Sequence, residues 1–283
     1  MSDVMMLAKQ YTPKSLHFPV YVTEKLDGVP VDIRWNEDNS ITATSRQGKP
    51  VTCIEHILAA LGKAIVQHGT HLVGELYIPG VDFKDISGKA RQTKKQSPDL
   101  QLWVWDMYFD YAGNELYEGR IAIAHDFVRN LKSPHIQIIP ARKKASQEVL
   151  DEYIAQFMND HPEAEGVVVR NGNGLYQLKR SYDMQKVKVT NTADLKIVSF
   201  EEAVDAKTDK PLGMVGRINC LYKGAVIGVG PGTMDHPTRR YVWENQERYV
   251  GNIVEVKYMP DESYDALREA RFFRWREDKT VGE

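Results

Sequence analysis

The sequence has little cysteine: its 283 residues include only Cys53 and Cys220, which lie far apart. Each stands in an apolar segment, and neither has the second cysteine or the nearby histidine that a zinc site needs. We therefore expect two buried thiols in a reducing compartment, with neither a disulfide framework nor a zinc centre.

Long apolar runs are also missing. No stretch is long enough to span a membrane, and the first ten residues lack the basic start and apolar run of a signal peptide. These absences predict a cytoplasmic protein that does not associate with a membrane.

A strong net charge is absent as well. The formal net charge is −2, so bulk electrostatics do not indicate a nucleic-acid partner, and a basic binding surface has to be local. Hydrophobic residues make up 42% of the chain and charged residues 27%, which is typical of folded domains with an ordinary surface. Internal repeats and low-complexity tracts are absent, and the length fits one large domain or two modest ones.

What is present is a regular alternation of strand and helix patterns. Period-two or continuous apolar patterns predict strands over residues 21–35 (interrupted at 28–30), 72–78, 100–107, 186–189, 195–200, 215–222, 225–229 and 253–258. Helical spacing predicts helices from Thr52, with Glu55 as its capping-box partner and Gly69 as its end, over 146–158, and near 237–249.

Two further segments punctuate this pattern. Asn171-Gly172-Asn173-Gly174 predicts a hairpin between strands 166–170 and 175–179, because Asn and Gly tolerate positive φ. Residues 191–194 resemble a linker, and the short strands beyond them suggest a small barrel, so we place a domain boundary near Thr192.

Candidate chemistry begins at Glu24-Lys25-Leu26-Asp27-Gly28. A strand presents Lys25 and Asp27 on the same face. A lysine acts as a nucleophile when burial or neighbouring cations lower its pKa, and an adjacent carboxylate can orient the amine or hold a metal. Gly28 allows the backbone to turn tightly beside a phosphate.

Five more polar positions follow in order along the chain. They are Arg46 in Ser45-Arg46-Gln47-Gly48, Glu75 within an apolar strand, the pair Trp105-Asp106, Glu165 before an apolar strand, and Lys186 with Lys188. Each has an ordinary explanation taken alone: carboxylates facing solvent, tryptophans in a core, and lysines that protect an edge strand. Their joint order is not explained in that way.

This ordered set resembles the covalent nucleotidyltransferase superfamily of ATP-dependent DNA ligases, RNA ligases and mRNA capping enzymes. The sequence matches K-x-D-G at Lys25, S-R-x-G at Ser45, the carboxylate motif at Glu75, the aromatic-Asp motif at Trp105, E-G at Glu165 and K-x-K at Lys186. The resemblance extends from Lys25 to the C-terminus, and the six motifs together are specific.

Features at both ends favour the DNA ligase branch. Residues 274–279 resemble the R-x-D-K ending of the ligase barrel domain, and residues 194–198 resemble the entry to that domain. Val29-Pro30 follows K-x-D-G where RNA ligases have [ST]-N, and capping enzymes use GTP and another C-terminal motif. The resemblance implies an α+β fold: an ATP-grasp-like nucleotidyltransferase domain of antiparallel sheets with flanking helices over 1–192, and a C-terminal β-barrel OB-fold over 193–283.

The resemblance also implies a minimal two-domain enzyme of the bacteriophage or bacterial kind, which is expected to be monomeric. It implies ATP and Mg²⁺ (or Mn²⁺) as cofactors, nicked duplex DNA as substrate, and service in DNA replication, repair or recombination. The nucleotide-binding residues it implies are Thr23, Glu24, Lys25 as nucleophile, Asp27, Gly28, Arg46, Glu75, Trp105, Glu165, Lys186, Lys188, Arg276 and Lys279, with Asp27 and Glu165 as metal ligands.

DNA contacts are expected from local basic residues. These are Arg46, Lys84, Lys89, Arg91, Lys94, Lys95, Lys179 and Arg180, although the crowded segment 84–95 is equally explained as a solvated loop. One departure concerns Pro30, since DNA ligases usually have an arginine there that contacts phosphate or nucleotide. Arg34 cannot take that position without a bulge, because a strand advances about 3.3 Å per residue.

Two alternatives remain open at this point. One is an RNA or DNA–RNA hybrid ligase on the same scaffold. The other is a non-catalytic nucleic-acid-binding OB protein with a decayed nucleotide site, against which the retained lysines and carboxylates argue.

Overall fold

The computed structural model describes residues 5–111, 115–188, 191–259, 267–280 and 282. The chain divides into two compact units, Met1–Lys188 and Val189–Glu283. Among the described helices, none combines the length and apolar character needed to cross a membrane. Both cysteines are free and buried, as expected.

The first unit is a mixed α+β structure. Its strands are β1 Leu7–Gln10, β2 Val20–Glu24, β3 Val29–Trp35, β4 Ile41–Ser45, β5 Thr70–Tyr77, β6 Gln101–Phe109, β7 Ile136–Ile138, β8 Arg142–Lys144, β9 Gly166–Asn171 and β10 Arg180–Lys188. Its helices are α1 Glu55–Leu61, α2 Phe83–Ala90, α3 Tyr117–Leu131 and α4 Gln147–Asp160, with a 3₁₀ turn at Pro13–Ser15.

These strands form two sheets with the orders β1-β10-β9-β2-β8 and β4-β3-β5-β6-β7. Most neighbours are antiparallel, but β1 pairs with β10 and β6 with β7 in parallel. The expectation of purely antiparallel sheets was therefore wrong at these pairs. The β6–β7 pair is parallel because helix α3 carries the chain back to the same end of the sheet.

Each sheet buries one face under helices. Leu150 of α4 packs against Val20, Val22 and Val167 of the first sheet. The apolar face of the second sheet forms the larger core with helices α1 to α3. Because strand side chains alternate between faces, Glu75 lies on the opposite face of β5 from its neighbour Leu76, which belongs to that core.

The helix predicted from Thr52 is shorter than its pattern suggested. It begins at Glu55 and ends at Leu61, and Ile65 is fully exposed. Thr52 does not cap it: the amide of Gln96 accepts from the Glu55 backbone N–H at 3.0 Å and donates to the Thr52 carbonyl at 3.0 Å. A distant side chain thus replaces the predicted capping box.

The predicted hairpin at residues 171–174 is also corrected. Strand β9 pairs with β10, which begins at Arg180, and residues 175–179 do not form the returning strand. The carbonyls of Gly172 and Gly174 instead accept from the backbone N–H groups of Glu118 and Tyr117. They satisfy the first turn of α3, a helix that the sequence patterns did not reveal.

The second unit contains a sheet with the order β13-β12-β11-β14-β15. Its strands are β11 Asn191–Val204, β12 Pro211–Tyr222, β13 Ala225–Val229, β14 Ile253–Met259 and β15 Arg268–Trp275, and its helix is α5 His236–Glu244, followed by a 3₁₀ turn at Gln246–Arg248. Leu195, Val215, Ile218, Val254 and Phe272 belong to its core.

The predicted linker at residues 191–194 is wrong. These residues open β11 and pair with β14, from Asn191 opposite Tyr258 to Asp194 opposite Glu255. The predicted boundary near Thr192 therefore lies within a strand. Polar residues at a strand end resemble a linker when only local composition is considered, since long-range pairing is invisible there.

Candidate active site

Lys25 lies directly after strand β2. Its backbone N–H donates to the Gly166 carbonyl at 2.9 Å, which fixes the residue beside the start of β9. Its ammonium group forms an ion pair with Glu165, whose side chain is only 6% exposed while that of Lys25 is 23% exposed. The candidate nucleophile is thus reachable by a ligand but held by a buried carboxylate.

Lys186 and Lys188 come from the neighbouring strand β10. Lys188 pairs with Gly166, and its ammonium group lies 3.3 Å from the second oxygen of Glu165. Burial lowers the pKa of Lys186, and the charges of Lys188 and Lys25 lower it further. Two lysines therefore pair with Glu165, and the charge of Lys186 interacts with both of them and with Glu165. The mutual repulsion of the three cations favours an anion such as a phosphate among them.

Glu75 is a buried carboxyl group on β5. Burial raises its pKa well above the usual value, and the carboxylates of Glu165 and Asp27 raise it further, while Lys25 and Arg46 lower it. These electrostatic neighbours place Glu75 with the lysine cluster. Its carboxyl group can accept or donate a hydrogen bond, as contact with a ribose hydroxyl would require.

Two motif glycines are required by close backbone approaches. A Cβ at Gly28 would lie 2.4 Å from the Leu76 carbonyl oxygen and 2.6 Å from Cγ of Glu75. Gly166 has φ of +136°, and a Cβ there would lie 2.0 Å from the Val187 carbonyl oxygen. The absence of a side chain at Gly28 thus allows Glu75 of strand β5 to lie close to the backbone there. This packing is a second reason for glycine at this position, besides the expected approach of a phosphate.

Thr23 is buried on β2, two residues before the candidate nucleophile. Its hydroxyl accepts a hydrogen bond from Arg170 of β9 at 2.9 Å. Arg170 is itself buried, lies 5.4 Å from the ring centroid of Tyr117, and among the described residues its Nε atom has no hydrogen-bond partner. Motif matching missed this arginine, although its alternation with Val169 after Glu165-Gly166 predicts an inward-facing side chain.

Trp105 and Asp106 lie at a bulge in strand β6. Gly74 pairs with Val104 and Val73 with Asp106, so Trp105 is the extra residue. Trp105 is half-buried, and its carbonyl accepts from the Tyr117 hydroxyl at 3.4 Å. Trp103, the other tryptophan of this segment, pairs directly with Glu75 and was not among the predicted nucleotide-binding residues.

Asp106 has a structural partner. Its two carboxylate oxygens accept from Nε and Nη2 of Arg120 at 2.8 and 3.1 Å, and both side chains are buried. Nη1 of Arg120 also donates to the carbonyls of Glu115 and Gly174. This arginine, also missed, ties the aromatic-Asp motif to helix α3 and to the loop before β10.

Arg46 occupies a tight turn after β4, as the sequence predicted. The Gly48 N–H donates to the Ser45 carbonyl at 2.8 Å, and Gly48 has φ of +74°. The side chain of Arg46 is exposed, and its charge acts on the pKa of Glu75. Arg46 therefore lies between the lysine cluster and solvent.

Other predicted residues lie outside this cluster. Glu24 is exposed as a residue, but partial desolvation of its carboxyl raises its pKa, while His161 lowers it and Glu163 raises it further. Lys89 is ion-paired with Asp99 at 2.7 Å, and Arg180 donates to the Ala8 carbonyl at 2.7 Å. The remaining predicted DNA-binding residues of this unit, Lys84, Arg91, Lys94, Lys95 and Lys179, are exposed or half-buried on the surface.

Arg276 and Lys279 belong to the second unit. Nη1 of Arg276 donates to both oxygens of Asp194, at 2.8 and 2.9 Å, and the ammonium group of Lys279 bonds the same carboxylate. Arg276 also donates to Asp278. Asp194 at the start of β11 therefore holds the two predicted cations side by side.

A metal site is not preformed by the described side chains. No group of three or more His, Cys, Asp or Glu residues with metal-binding geometry occurs among them. Glu165 and Asp27 nevertheless supply the hard oxygen donors that Mg²⁺ prefers, and both act on the pKa of the buried Glu75. The donor chemistry fits a cation, and the lysines neutralise Glu165 as the structure stands.

Similarity to known proteins agrees with this arrangement. A DNA ligase of Haemophilus influenzae (strain ATCC 51907 / DSM 11121 / KW20 / Rd) is 28% identical over 259 residues, covering 91% of this chain and 86% of the relative. The solved ligase structure Pmar-Lig_PreS3 aligns with a TM-score of 0.81 at 22% identity, over 98% of this chain and 68% of that one.

A solved structure from a structure–function study of DNA binding by Lig E DNA ligases aligns with a TM-score of 0.75 at 20% identity, over 98% of this chain and 100% of that one. At such identities these structures establish the fold. The family model of the ATP dependent DNA ligase domain matches residues 5–188, which include every motif of the first unit. The chain therefore belongs to the ATP-dependent DNA ligase family.

Proposed function

We propose that the protein seals nicks between a 5′-phosphate and a 3′-hydroxyl in duplex DNA, using ATP and a covalent Lys25–AMP intermediate. The observation that carries this proposal is the half-buried Lys25, set among Glu165, Lys188, Lys186 and Glu75 in a member of the ATP-dependent ligase family. DNA ligase relatives support the same activity.

The first step forms the bond between Lys25 Nζ and the α-phosphorus of ATP and breaks the bond to pyrophosphate. Lys25 must shed its ion pair with Glu165 and lose a proton to attack. Lys186 and Lys188 neutralise the phosphoryl oxygens in the transition state. Partial desolvation of Lys186 strengthens that contact, because charges interact more strongly away from water.

Two further transfers complete the reaction. An oxygen of the 5′-phosphate at the nick attacks the α-phosphorus, which breaks the Lys25–phosphorus bond and yields adenylylated DNA. The 3′-hydroxyl then attacks the 5′-phosphate, forms the phosphodiester and releases AMP. Arg46, which is exposed, would contact the nick phosphate.

Asp27 and Glu165 would hold Mg²⁺ or Mn²⁺. Such an ion neutralises charge on the phosphates during transfer. Binding of a divalent cation by Glu165 would weaken its ion pair with Lys25, because the carboxylate would then share its negative charge between the cation and the lysine. Glu165 would thus both restrain the lysine before ATP arrives and release it afterwards.

We assign recognition of the nucleoside to Thr23, Glu75 and Trp105. Glu75 contacts the ribose and Trp105 stacks on adenine, with Thr23 at the adenine edge. Arg170 fixes the Thr23 hydroxyl as an acceptor, so that hydroxyl keeps its own proton for donation. Glu24 and Gly28 flank these groups in sequence.

The second unit is proposed to be an OB-fold barrel that supplies Arg276 and Lys279 to the departing pyrophosphate. Support for closure of the sheet comes from the parallel bridge between Gly230 and Arg271, which links the segment after β13 to β15. Support for the role of the cations is that Asp194 holds both together. A monomer contacting DNA through its basic surface residues, Lys84, Lys89, Arg91, Lys94, Lys95, Lys179 and Arg180, completes the proposal.

The experiment is a sealing assay with ATP on three matched nicked duplexes, with deoxyribose at both sides of the nick, ribose on the 3′ side only, or ribose on the 5′ side only. Sealing of the all-DNA nick with release of AMP is expected. A preference for a ribose-containing nick would assign a hybrid ligase, and binding without any sealing or adduct would assign a non-catalytic binding protein.

A further inference from the structure

A cleft of about 880 Å³ lies beside Arg46 in the first unit. One wall is the turn after strand β4 and the segment that follows it, and the other is the C-terminal end of helix α2. Polar and basic residues lining it include Arg46, Lys49, Thr52, Arg91 and Thr93, together with Pro30 of strand β3.

The cleft is built to receive an anion. Its lining contains three cationic side chains and no carboxylate among the described residues. Arg46, Lys49 and Arg91 form no ion pair within the described part of the chain, whereas Lys89, two residues before Arg91, is paired with Asp99. The charge of Arg91 is therefore available to a ligand, while that of Lys89 is largely neutralised.

The cleft also adjoins the candidate nucleophile. Pro30 is the cross-strand partner of Glu75, and Arg46 acts on the pKa of that same buried carboxyl. An anion between Arg46 and Arg91 therefore lies next to the group of residues around Lys25. Both walls of the cleft carry cations, and this arrangement suits a chain of phosphates better than a single small anion.

Pro30 gives the cleft its particular character. This position usually carries an arginine in DNA ligases, and here the ring of proline supplies no donor. Arg91 lines the same cleft from helix α2, so a guanidinium group is present although the strand does not provide it. A guanidinium group forms paired hydrogen bonds to phosphate oxygens that proline cannot form.

We propose that Arg91 and Lys49 bind backbone phosphates of the nicked strand that carries the 5′-phosphate, and that Arg91 takes over the phosphate contact missing at Pro30. This inference rests on the proposed ligase function. The triphosphate of ATP has the same chemistry, so the test separates the two phosphate sources.

The test compares Arg91→Ala and Lys49→Ala with Lys63→Ala as the matched control, since all three side chains are exposed and Lys63 does not line the cleft. Enzyme charged with labelled AMP and freed of ATP is mixed with nicked DNA, and AMP transfer is followed in a single turnover. Arg91→Ala should slow transfer about tenfold or more, because a charge-assisted hydrogen bond contributes on that order. Lys63→Ala should transfer at close to the wild-type rate.

DNA binding gives a second readout. Each lost phosphate contact should reduce the slope of log affinity against log salt by about 0.9. Formation of the Lys25 adduct from ATP should be unchanged in Arg91→Ala and Lys49→Ala. A fall in adduct formation that matches the fall in transfer would assign the cleft to the triphosphate and overturn the proposal.

A rescue experiment tests whether Arg91 takes the role of the arginine that DNA ligases usually have at position 30. Adding Pro30→Arg to Arg91→Ala should restore transfer to within a few-fold of wild type, and failure to restore it would overturn the replacement. If Arg91→Ala leaves both AMP transfer and the salt slope unchanged, the assignment of the cleft to DNA phosphates is overturned, but the proposed ligase function is not. Wild-type protein that forms no adduct and seals no nick would overturn the proposed function instead.

Discussion

Lys25 and Glu165 form an ion pair across the junction between strands β2 and β9. The same carboxylate lies 3.3 Å from Lys188, so one buried anion restrains the candidate nucleophile and a candidate phosphate-binding lysine together. This relationship implies that Glu165 has to exchange partners before Lys25 can attack. The proposed partners for this exchange are a divalent cation for Glu165 and the phosphates of ATP for the lysines.

Glu165→Gln tests that exchange. The glutamine amide lacks the negative charge with which a carboxylate binds a divalent cation. Because such an ion contributes several kcal/mol to transition-state stabilisation, adduct formation should slow by about 10²-fold or more. The dependence on Mg²⁺ concentration should weaken in the same variant. The matched control is Glu163→Gln, because Glu163 is 75% exposed. A wild-type rate and Mg²⁺ response in Glu165→Gln would show that Glu165 plays no part in metal binding.

Glu75→Gln should change how stability depends on pH. The folded pKa of Glu75 is raised well above its usual 4.5, so folding favours the protonated form. The resulting stabilisation is present below the unfolded pKa and is lost as pH rises towards the folded pKa. Glutamine stays neutral and avoids this loss.

The stability of Glu75→Gln relative to wild type should therefore increase from pH 4 towards pH 7, by at most about 1.4 kcal/mol per pH unit. Urea unfolding of both proteins across this range measures the difference, with Glu37→Gln as an exposed control. Parallel curves for Glu75→Gln and wild type would mean that the carboxyl ionises normally in the folded protein.

Arg120→Ala should destabilise the first unit strongly. Asp106 and Arg120 have side chains that are each 3% exposed, and removing the arginine leaves a buried carboxylate without its partner. Breaking a buried pair in this way costs about 3–5 kcal/mol. Arg129→Ala is the control, because its pair with Asp126 is exposed and contributes about 0–1 kcal/mol. Equal midpoints in urea for the two variants would refute the anchoring role of Arg120.

Arg276 and Lys279 are expected to serve the first chemical step. Charge on the departing pyrophosphate grows in the transition state, so replacing both by alanine should slow adduct formation by about 10²-fold or more. Sealing of a nick that is already adenylylated should fall much less, because no pyrophosphate leaves in that step. Arg240→Ala, an exposed arginine on α5, is the control. An equal loss in both single-turnover rates would instead indicate a structural or DNA-binding role.

The motifs predicted the polar centre better than the backbone around it. The polar motif residues come together as expected: Lys25, Glu75, Glu165, Lys186 and Lys188. Each motif includes strand residues beside the polar one, so it also indicates where in the strand the polar residue lies. The segments whose structure was predicted wrongly contact residues that are distant in sequence. A pattern within one segment carries no information about those contacts.

Three particular cases show this dependence. Gln96 caps helix α1 in place of Thr52, the loop at 172–174 caps α3 and does not close a hairpin, and residues 191–194 are a strand because β14 pairs with them. Arg120 and Arg170 were missed because a buried arginine resembles an exposed one in sequence. Strand alternation after Glu165-Gly166 could have indicated the inward position of Arg170, whereas that of Arg120 follows from helix packing, which only the folded chain defines.

Covalent catalysis by Lys25 is tested by adduct formation with labelled ATP. Wild-type protein, Lys25→Ala and the control Lys14→Ala are incubated with ATP and Mg²⁺, and the labelled residue is located by mass spectrometry of the digested protein. We expect one AMP on Lys25 in the wild type and in Lys14→Ala, and none on folded Lys25→Ala. Label of normal yield on Lys25→Ala, or on another residue of the wild type, would contradict this expectation.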